Sequence, residues 1–296
     1  MRFLLLGGAG QVGEEFRALT FPDDLEIIAP SHASLDLGNA QAIANMIAAE
    51  PWSAVINAAA FTDVDRAESE EAAAFAINAE APSRLAAETG RRGIPLIHIS
   101  TDYVFDGRKG LPYVEQDQAA PLNAYGRSKL AGEHGVSVNP RHVILRTSWV
   151  YSPYSKNFVK TILRLMAERD RLTVVSDQRG CPTAAHDIAS ACLTIALCCA
   201  IEPERAPYGV YHFAGAGEAT WFEFASAIVD LATGRLGRSP QVLPIKTSEY
   251  PTPAARAADT RLDSTSVLRA FGVKPRAWHQ ALRDTIDQLL GNKGIS

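Results

Sequence analysis

The chain reads as an α/β protein: a doubly wound parallel sheet with a smaller C-terminal lobe. Three observations support this. Short apolar runs alternate with longer amphipathic segments, the pattern of parallel strands joined by helices. The first run, Arg2 to Leu6, passes directly into the glycine turn Gly7-Gly8-Ala9-Gly10-Gln11-Val12-Gly13, which opens a helix. Beyond residue 148 the regular alternation gives way to helices with short strands between them. Two lobes are expected, 1–148 with later segments of about 170–200 threading back into it, and 149–296.

The glycine turn declares a ligand. In a strand-turn-helix unit, Gly7, Gly10 and Gly13 let the turn close, the backbone approach a pyrophosphate, and the helix pack tightly on the strand. The context confirms the motif, which predicts a Rossmann-type fold and a dinucleotide-binding first lobe. Leu25 to Ala29 is the second strand, and its end is where such folds read the adenosine ribose. An acidic residue there binds the 2′-hydroxyl and an Arg accepts a 2′-phosphate. Here Pro30-Ser31-His32 offers neither, so both NADPH and NADH are expected to serve.

Ser34 to Leu37 is expected as a short third strand, with Asp36 in reach of the adenine amino group. A helix follows over about Ala40 to Glu50, then a strand from Ala54 to Asn57. Small residues after that strand permit close ligand approach, so Ala60, Phe61 and Thr62 are expected to line the crevice where open α/β sheets bind. Glu68, Glu70 and Glu71 open the next helix as a solvated acidic face, favoured near a helix N-terminus.

Leu96 to Ser100 forms a strand with Thr101 at its tip, and Pro121 precedes a helix bearing Tyr125 and Lys129. Residues four apart on a helix project from one face. An ammonium beside a phenol lowers the phenol's pKa from about 10 towards working pH, which suits Tyr125 to proton transfer. Thr101 can then hold a carbonyl oxygen. These three are the candidate catalytic residues. Val143 to Arg146 is a further strand. In the second lobe, helices are expected near Asn157 to Glu168, Ala185 to Cys199 and Trp221 to Ala232. Short strands are expected near Leu172 to Val175 and Gly209 to Phe213, with a Pro-rich stretch at 240–253.

Composition excludes several classes. A formal charge of −4 and a pI near 6 leave no footprint for nucleic acid, and the apolar runs are too short or interrupted for a membrane span. No export signal is visible at the N-terminus. Four cysteines (Cys181, Cys192, Cys198, Cys199) lack zinc or redox spacing and read as free thiols in a reducing, cytoplasmic compartment.

The stretches GGAGQVG, VINAAAFTDVDRAE, HISTDYVFDG, PLNAYGRSKLAGE, RTSWVY, NFVKTILRL and DQRGCPT together resemble the dTDP-4-dehydrorhamnose reductases, extended short-chain dehydrogenases/reductases. The likeness runs to about residue 190 and continues, more weakly, through YHFAGAGEATWFEFA and YPTPAAR. It implies reduction of the 4-keto group of a dTDP-linked 6-deoxyhexulose by a nicotinamide cofactor. By the resemblance, Tyr125 is the proton donor, Lys129 its partner and a cofactor contact, and Thr101, Asp102, Tyr125 and Trp149 contact substrate. Gln11, Val12, Asp36, Leu37 and Ala60 to Thr62 fall on cofactor positions.

Some relatives hold Mg2+ at a homodimer contact made of glutamates. Glu15 matches one of them, but His186 replaces a second and Asp287 matches a third only loosely, so no metal is expected. Arg256-Ala257-Ala258-Asp259 departs from the family's Arg-Pro-x-Asn. Two other readings stay open: an epimerase or dehydratase of the same superfamily, and a cofactor-binding regulatory subunit.

Overall fold

The computed structural model describes residues 1–291, so positions 292–296 of the expected second lobe lie outside the described residues. The first half runs β1 (Arg2–Leu6), α1 (Gln11–Arg17), β2 (Glu26–Ile28), α2 (Ala40–Ala49), β3 (Ala54–Asn57), α3 (Arg66–Ser69) and α4 (Glu71–Phe75). It continues with α5 (Ala81–Arg91), β4 (Leu96–Thr101), α6 (Ala124–Val136) and β5 (His142–Thr147). Then come β6 (Val150–Tyr151), α7 (Phe158–Glu168), β7 (Arg171–Val175), β8 (Arg179–Gly180), β9 (Thr183–Ala184) and α8 (Ala185–Ile201). The chain closes with β10 (Gly209–His212), β11 (Ala219–Thr220), α9 (Trp221–Leu236), β12 (Gln241–Ile245), α10 (Thr265–Phe271) and α11 (Trp278–Gly291).

Six of these strands make one parallel sheet in the order β10-β5-β4-β3-β1-β2. The chain leaves β1 in one direction to β2 and in the other to β3, so the order reverses at β1 and a crevice opens over the strands' C-terminal ends. Side chains alternate between the two faces with the period of two that a strand imposes. Phe3, Leu5, Ile56, Ile97 and Leu145 pack on Phe16 of α1 and on Ile188, Cys192 and Ile195 of α8. Leu4, Leu6, Val55, Leu96 and Ile144 pack on Ile43 and Ile47 of α2 and on Leu85 of α5. Both faces are covered, as a parallel sheet requires.

The second lobe has its own core: Tyr151, Val159, Ile162 and Met166 against Phe224, Ile228, Trp278, Leu282 and Ile286. The segment that rejoins the central sheet is α8 through β10, while β7 pairs instead with β12 outside it.

Three local expectations are corrected. Ser34 to Leu37 is turn and loop, because Ser31 and Ser34 close an ST-type turn and Asp36 Oδ1 accepts the Gly38 N–H at 2.8 Å. The Pro-rich stretch contains β12, with Pro244 tolerated in a two-stranded pairing. The helix opened by the acidic run breaks at Glu70 and then widens into a π-helical stretch, Ala76–Glu80, before α5. That widening serves a purpose: buried Asn78 holds Phe61 from both sides, accepting its N–H at 2.8 Å and donating to its carbonyl at 3.0 Å, and donates to Ser128 of α6 at 3.0 Å.

Candidate active site

A cleft of about 830 Å³ runs over the C-terminal ends of the sheet. Gly7 to Val12, Ser31 and His32 line one end; Ala58 to Ala60 and Thr62 the middle; Thr101, Tyr125, Lys129 and Trp149 the other end. Gly7 has φ +81°, and a Cβ there would lie 2.6 Å from the Ala58 backbone, so only glycine lets this turn close against β3.

The helix that carries Tyr125 and Lys129 is fixed at its start by side chains from far away. Asn123 caps it, its Oδ1 accepting the Gly126 N–H at 2.8 Å while its amide donates to the Ala255 carbonyl at 2.8 Å. Glu68 accepts the Ala124 N–H at 2.7 Å, satisfying another orphan donor of the first turn. A Cβ on Gly126 would lie 2.3 Å from the Tyr103 carbonyl, so the first turn sits directly on the segment after β4. The Glu68 carboxylate is thus more than part of a solvated face.

Tyr125 and Lys129 are both buried. Burial pushes the Tyr125 phenol above its usual range, with the Thr101 hydroxyl drawing it the other way. Burial pulls Lys129 down to about 8, opposed by the Glu133 carboxylate. Lys129 Nζ donates to the Ile99 carbonyl at 2.7 Å and lies 3.4 Å from His98 Nε2. The lowering of Tyr125 by Lys129 expected from their spacing is absent in this state, because the ammonium is engaged on β4 and desolvation dominates the phenol.

Thr101 ends β4 and pairs across the sheet with Thr147 at the end of β5. Its hydroxyl donates to Asp102 Oδ1 at 3.1 Å and accepts the Tyr103 N–H at 3.2 Å. Asp102 is 1% exposed, and its other oxygen accepts from Ser148 at 3.0 Å and Thr260 at 2.6 Å. Burial raises its carboxyl to about 6, against the pull of these three hydroxyls. Asp102 therefore ties three chain segments together, with its carboxylate turned to hydroxyls.

Trp149 stands at φ +47°, in the left-handed region; with Ser155 it is one of two non-glycine residues of positive φ among the described residues, and both line the cleft. Such strain persists where surrounding contacts over-determine it, and it clusters at functional sites. Here a Cβ on Gly180 would lie 2.5 Å from the Trp149 ring, and Trp221 stacks on that ring with centroids 3.5 Å apart and planes within 5°.

Not every expected residue reaches the cleft. Gln11, Val12, Leu37, Ala60 and Thr62 line it, whereas Gly13, Asp36 and Phe61 do not. A Cβ on Gly13 would lie 2.2 Å from the Gly7 carbonyl, so this glycine lets the start of α1 pack against the turn. Asp36 is turned to its own loop by the bond to Gly38. Phe61 packs with Ala67, Ala74, Ala124 and Tyr125, under the Arg66 guanidinium 5.0 Å from its ring. Sequence reasoning missed His98, Asn57, Thr147, Phe158 and Trp221. It also missed Arg17, which comes to the same wall as Ser31 and His32. Their partners lie far along the chain, beyond what local spacing reveals.

Glu15 is buried and faces His186 Nδ1 at 3.3 Å, while Asp287 pairs with Arg235 at 2.5 Å. Arg256 pairs with Asp65 at 2.9 Å and its guanidinium lies 5.8 Å from the Tyr103 ring. The thiols of Cys181, Cys192 and Cys199 are buried, and burial raises all three above the usual range. Among the described residues no helix is long and apolar enough to cross a membrane.

The cleft fits a nicotinamide dinucleotide: its volume, the turn that only Gly7 permits, and a buried hydroxyl in its wall, Thr147 Oγ1, without a hydrogen-bond partner. Comparison with known proteins agrees. The family model described as RmlD substrate binding domain matches residues 1–290. A dTDP-4-dehydrorhamnose reductase of Sinorhizobium fredii is 43% identical over 291 residues, 98% of either chain. The Escherichia coli protein of that name is 36% identical over 308 residues, with both chains covered in full. Among solved structures, a dTDP-4-dehydrorhamnose reductase of Bacillus anthracis in complex with NADP has a TM-score of 0.89 at 33% identity, covering 97% of this chain and 99% of that one. A UDP-glucose 4-epimerase of Thermotoga maritima shares the fold at TM-score 0.80 and 17% identity. The glycine turn, the Thr-Tyr-Lys cleft and a match from end to end converge: this chain belongs to the dTDP-4-dehydrorhamnose reductase family.

Proposed function

We propose that the protein reduces the 4-keto group of dTDP-4-dehydro-L-rhamnose to dTDP-L-rhamnose, with NADPH preferred and NADH accepted. The observation that carries this is the meeting of Thr101, Tyr125 and Lys129 at one end of a single cleft whose other end is the glycine turn. Residues 1–148, with α8 and β10 returning to them, are assigned to the cofactor, and most of 149–296 to the sugar nucleotide.

When bound, the reduced nicotinamide supplies a hydride. The chain's own part is to receive the charge that then develops on the ketone oxygen. Tyr125, kept protonated by burial, donates its proton to that oxygen as general acid. The Thr101 hydroxyl, pre-positioned on Asp102 and the Tyr103 N–H, turns to the same oxygen as a second donor. Lys129 offsets the phenolate that Tyr125 leaves behind. The Trp149 indole, braced by Gly180 and Trp221, is held rigidly at the end of the cleft assigned to the hexulose or the base. The four free thiols favour a reducing setting such as the cytoplasm for this reaction.

NADPH oxidation followed by absorbance against a panel of dTDP- and UDP-linked 4-keto sugars tests the reading. The dTDP-linked 4-keto-6-deoxyhexulose is expected to turn over with the highest kcat/KM. Turnover of a UDP-hexose with no net cofactor consumption would instead mark an epimerase.

A further inference from the structure

At the back of the cleft a buried chain of side chains ends on Lys129. His98 is 0% exposed and is the register partner of Asn57 in the neighbouring strand. The Asn57 amide faces His98 Nδ1 at 3.0 Å, and Asn57 Oδ1 accepts the Ala59 N–H at 3.1 Å. That second bond settles which way the amide points. An N–H accepts nothing, so the oxygen must face Ala59 and the NH2 must face the imidazole. Nδ1 is then an acceptor, and burial keeps the ring neutral, holding its pKa well below the ordinary value. A neutral imidazole with Nδ1 as acceptor carries its proton on Nε2, the nitrogen 3.4 Å from Lys129 Nζ.

We propose that His98 is a positioning residue of the active site: Asn57 locks it in the Nε2–H tautomer, and that N–H is presented to the Lys129 nitrogen, an arrangement the amine satisfies and the ammonium opposes. The inference rests on the reductase reading only for its effect on catalysis. As an amine, Lys129 accepts from His98 and donates to the Ile99 carbonyl; as an ammonium it sets a donor against a donor in a dry site. The lock thus keeps Lys129 ready to release a proton within the working pH range, in the same direction as burial, which lowers its pKa independently. Other charged or titratable groups near this chain are Tyr125 and Glu133 on α6, Asp102 beyond β4, and Arg146 on β5, which is paired with Glu133. None of them hydrogen-bonds Nζ among the described residues, whose partners are Ile99 and His98.

Turnover needs the Lys129 ammonium and falls as pH rises through its pKa. Asn57→Asp keeps an oxygen for Ala59 and presents the other to His98, drawing the imidazole proton to Nδ1 and turning Nε2 into an acceptor for the ammonium. Two measurements test this. Long-range heteronuclear NMR on histidine-labelled wild-type protein, without cofactor, is expected to show His98 protonated on Nε2; protonation on Nδ1 overturns the proposal. In Asn57→Asp, the alkaline limb of the pH profile of kcat is expected to move up by about one pH unit or more, a tenfold gain in proton affinity. A variant that binds NADPH normally and keeps the wild-type limb also overturns it. If the protein proves not to be a reductase, the tautomer measurement stands independently, so the two failures are distinguishable.

Discussion

Glu68 and Ala124 meet across 56 residues of sequence: the Glu68 carboxylate accepts the Ala124 N–H at 2.7 Å, one position before Tyr125. The acidic residue thereby holds the first turn of the helix that presents the phenol. Glu68→Ala is expected to cost about 1 kcal/mol of stability, the scale of a lost helix cap. Because the turn also carries Tyr125, kcat should fall more than NADPH affinity, and Glu68→Gln should recover most of both losses. Urea denaturation and steady-state kinetics on the two variants check this; equal behaviour of Ala and wild type contradicts it.

Tyr125→Phe removes only a hydroxyl from a buried ring. Turnover is expected to drop about 10²-fold or more, the scale of general acid catalysis, with cofactor affinity nearly intact. NADPH titration and single-turnover kinetics separate the two effects, and turnover near wild type would dismiss Tyr125 as proton donor.

Cofactor choice turns on exposed Ser31 and His32, with Arg17 in the same wall. No carboxylate there repels a 2′-phosphate, and Ser31 and His32 offer it hydrogen bonds. NADPH is expected to be preferred over NADH about tenfold in kcat/KM, or about 1.4 kcal/mol. Ser31→Asp should reverse the order by setting a negative charge against the phosphate. A ratio unmoved by that substitution means the 2′ position is read elsewhere, with Arg17 the first residue to substitute.

Metal independence is expected from the pairing of Glu15 with His186, since a hard cation prefers oxygen ligands. Activity should survive dialysis against EDTA. Loss that added Mg2+ restores would contradict this.

What local pattern encodes, the sequence declares well. Arg2 to Leu6 and Ala54 to Asn57 appear as strands with the expected bounds, because unbroken apolar runs bounded by turn residues admit little else in a buried parallel sheet. The Tyr125 and Lys129 spacing correctly placed both on one buried face. Features that depend on distant partners were hidden. Asp36 was expected within a short strand, in reach of the adenine, and heads a turn onto Gly38. Trp221 gave no local sign of stacking on Trp149, and Lys129 was expected beside the phenol but donates to β4. The Pro-rich stretch gave no sign of β12, where Pro244 is tolerated because the pairing has only two strands.

This cleft is expected to carry out a net reduction at the sugar C4. The most direct measurement is turnover of dTDP-4-dehydro-L-rhamnose with NADPH deuterated at the transferable position of the nicotinamide, with the product examined by NMR. The expected product is dTDP-L-rhamnose bearing deuterium at C4, one sugar reduced per cofactor oxidised. Conversion without net NADPH oxidation, or product without deuterium at C4, would contradict it.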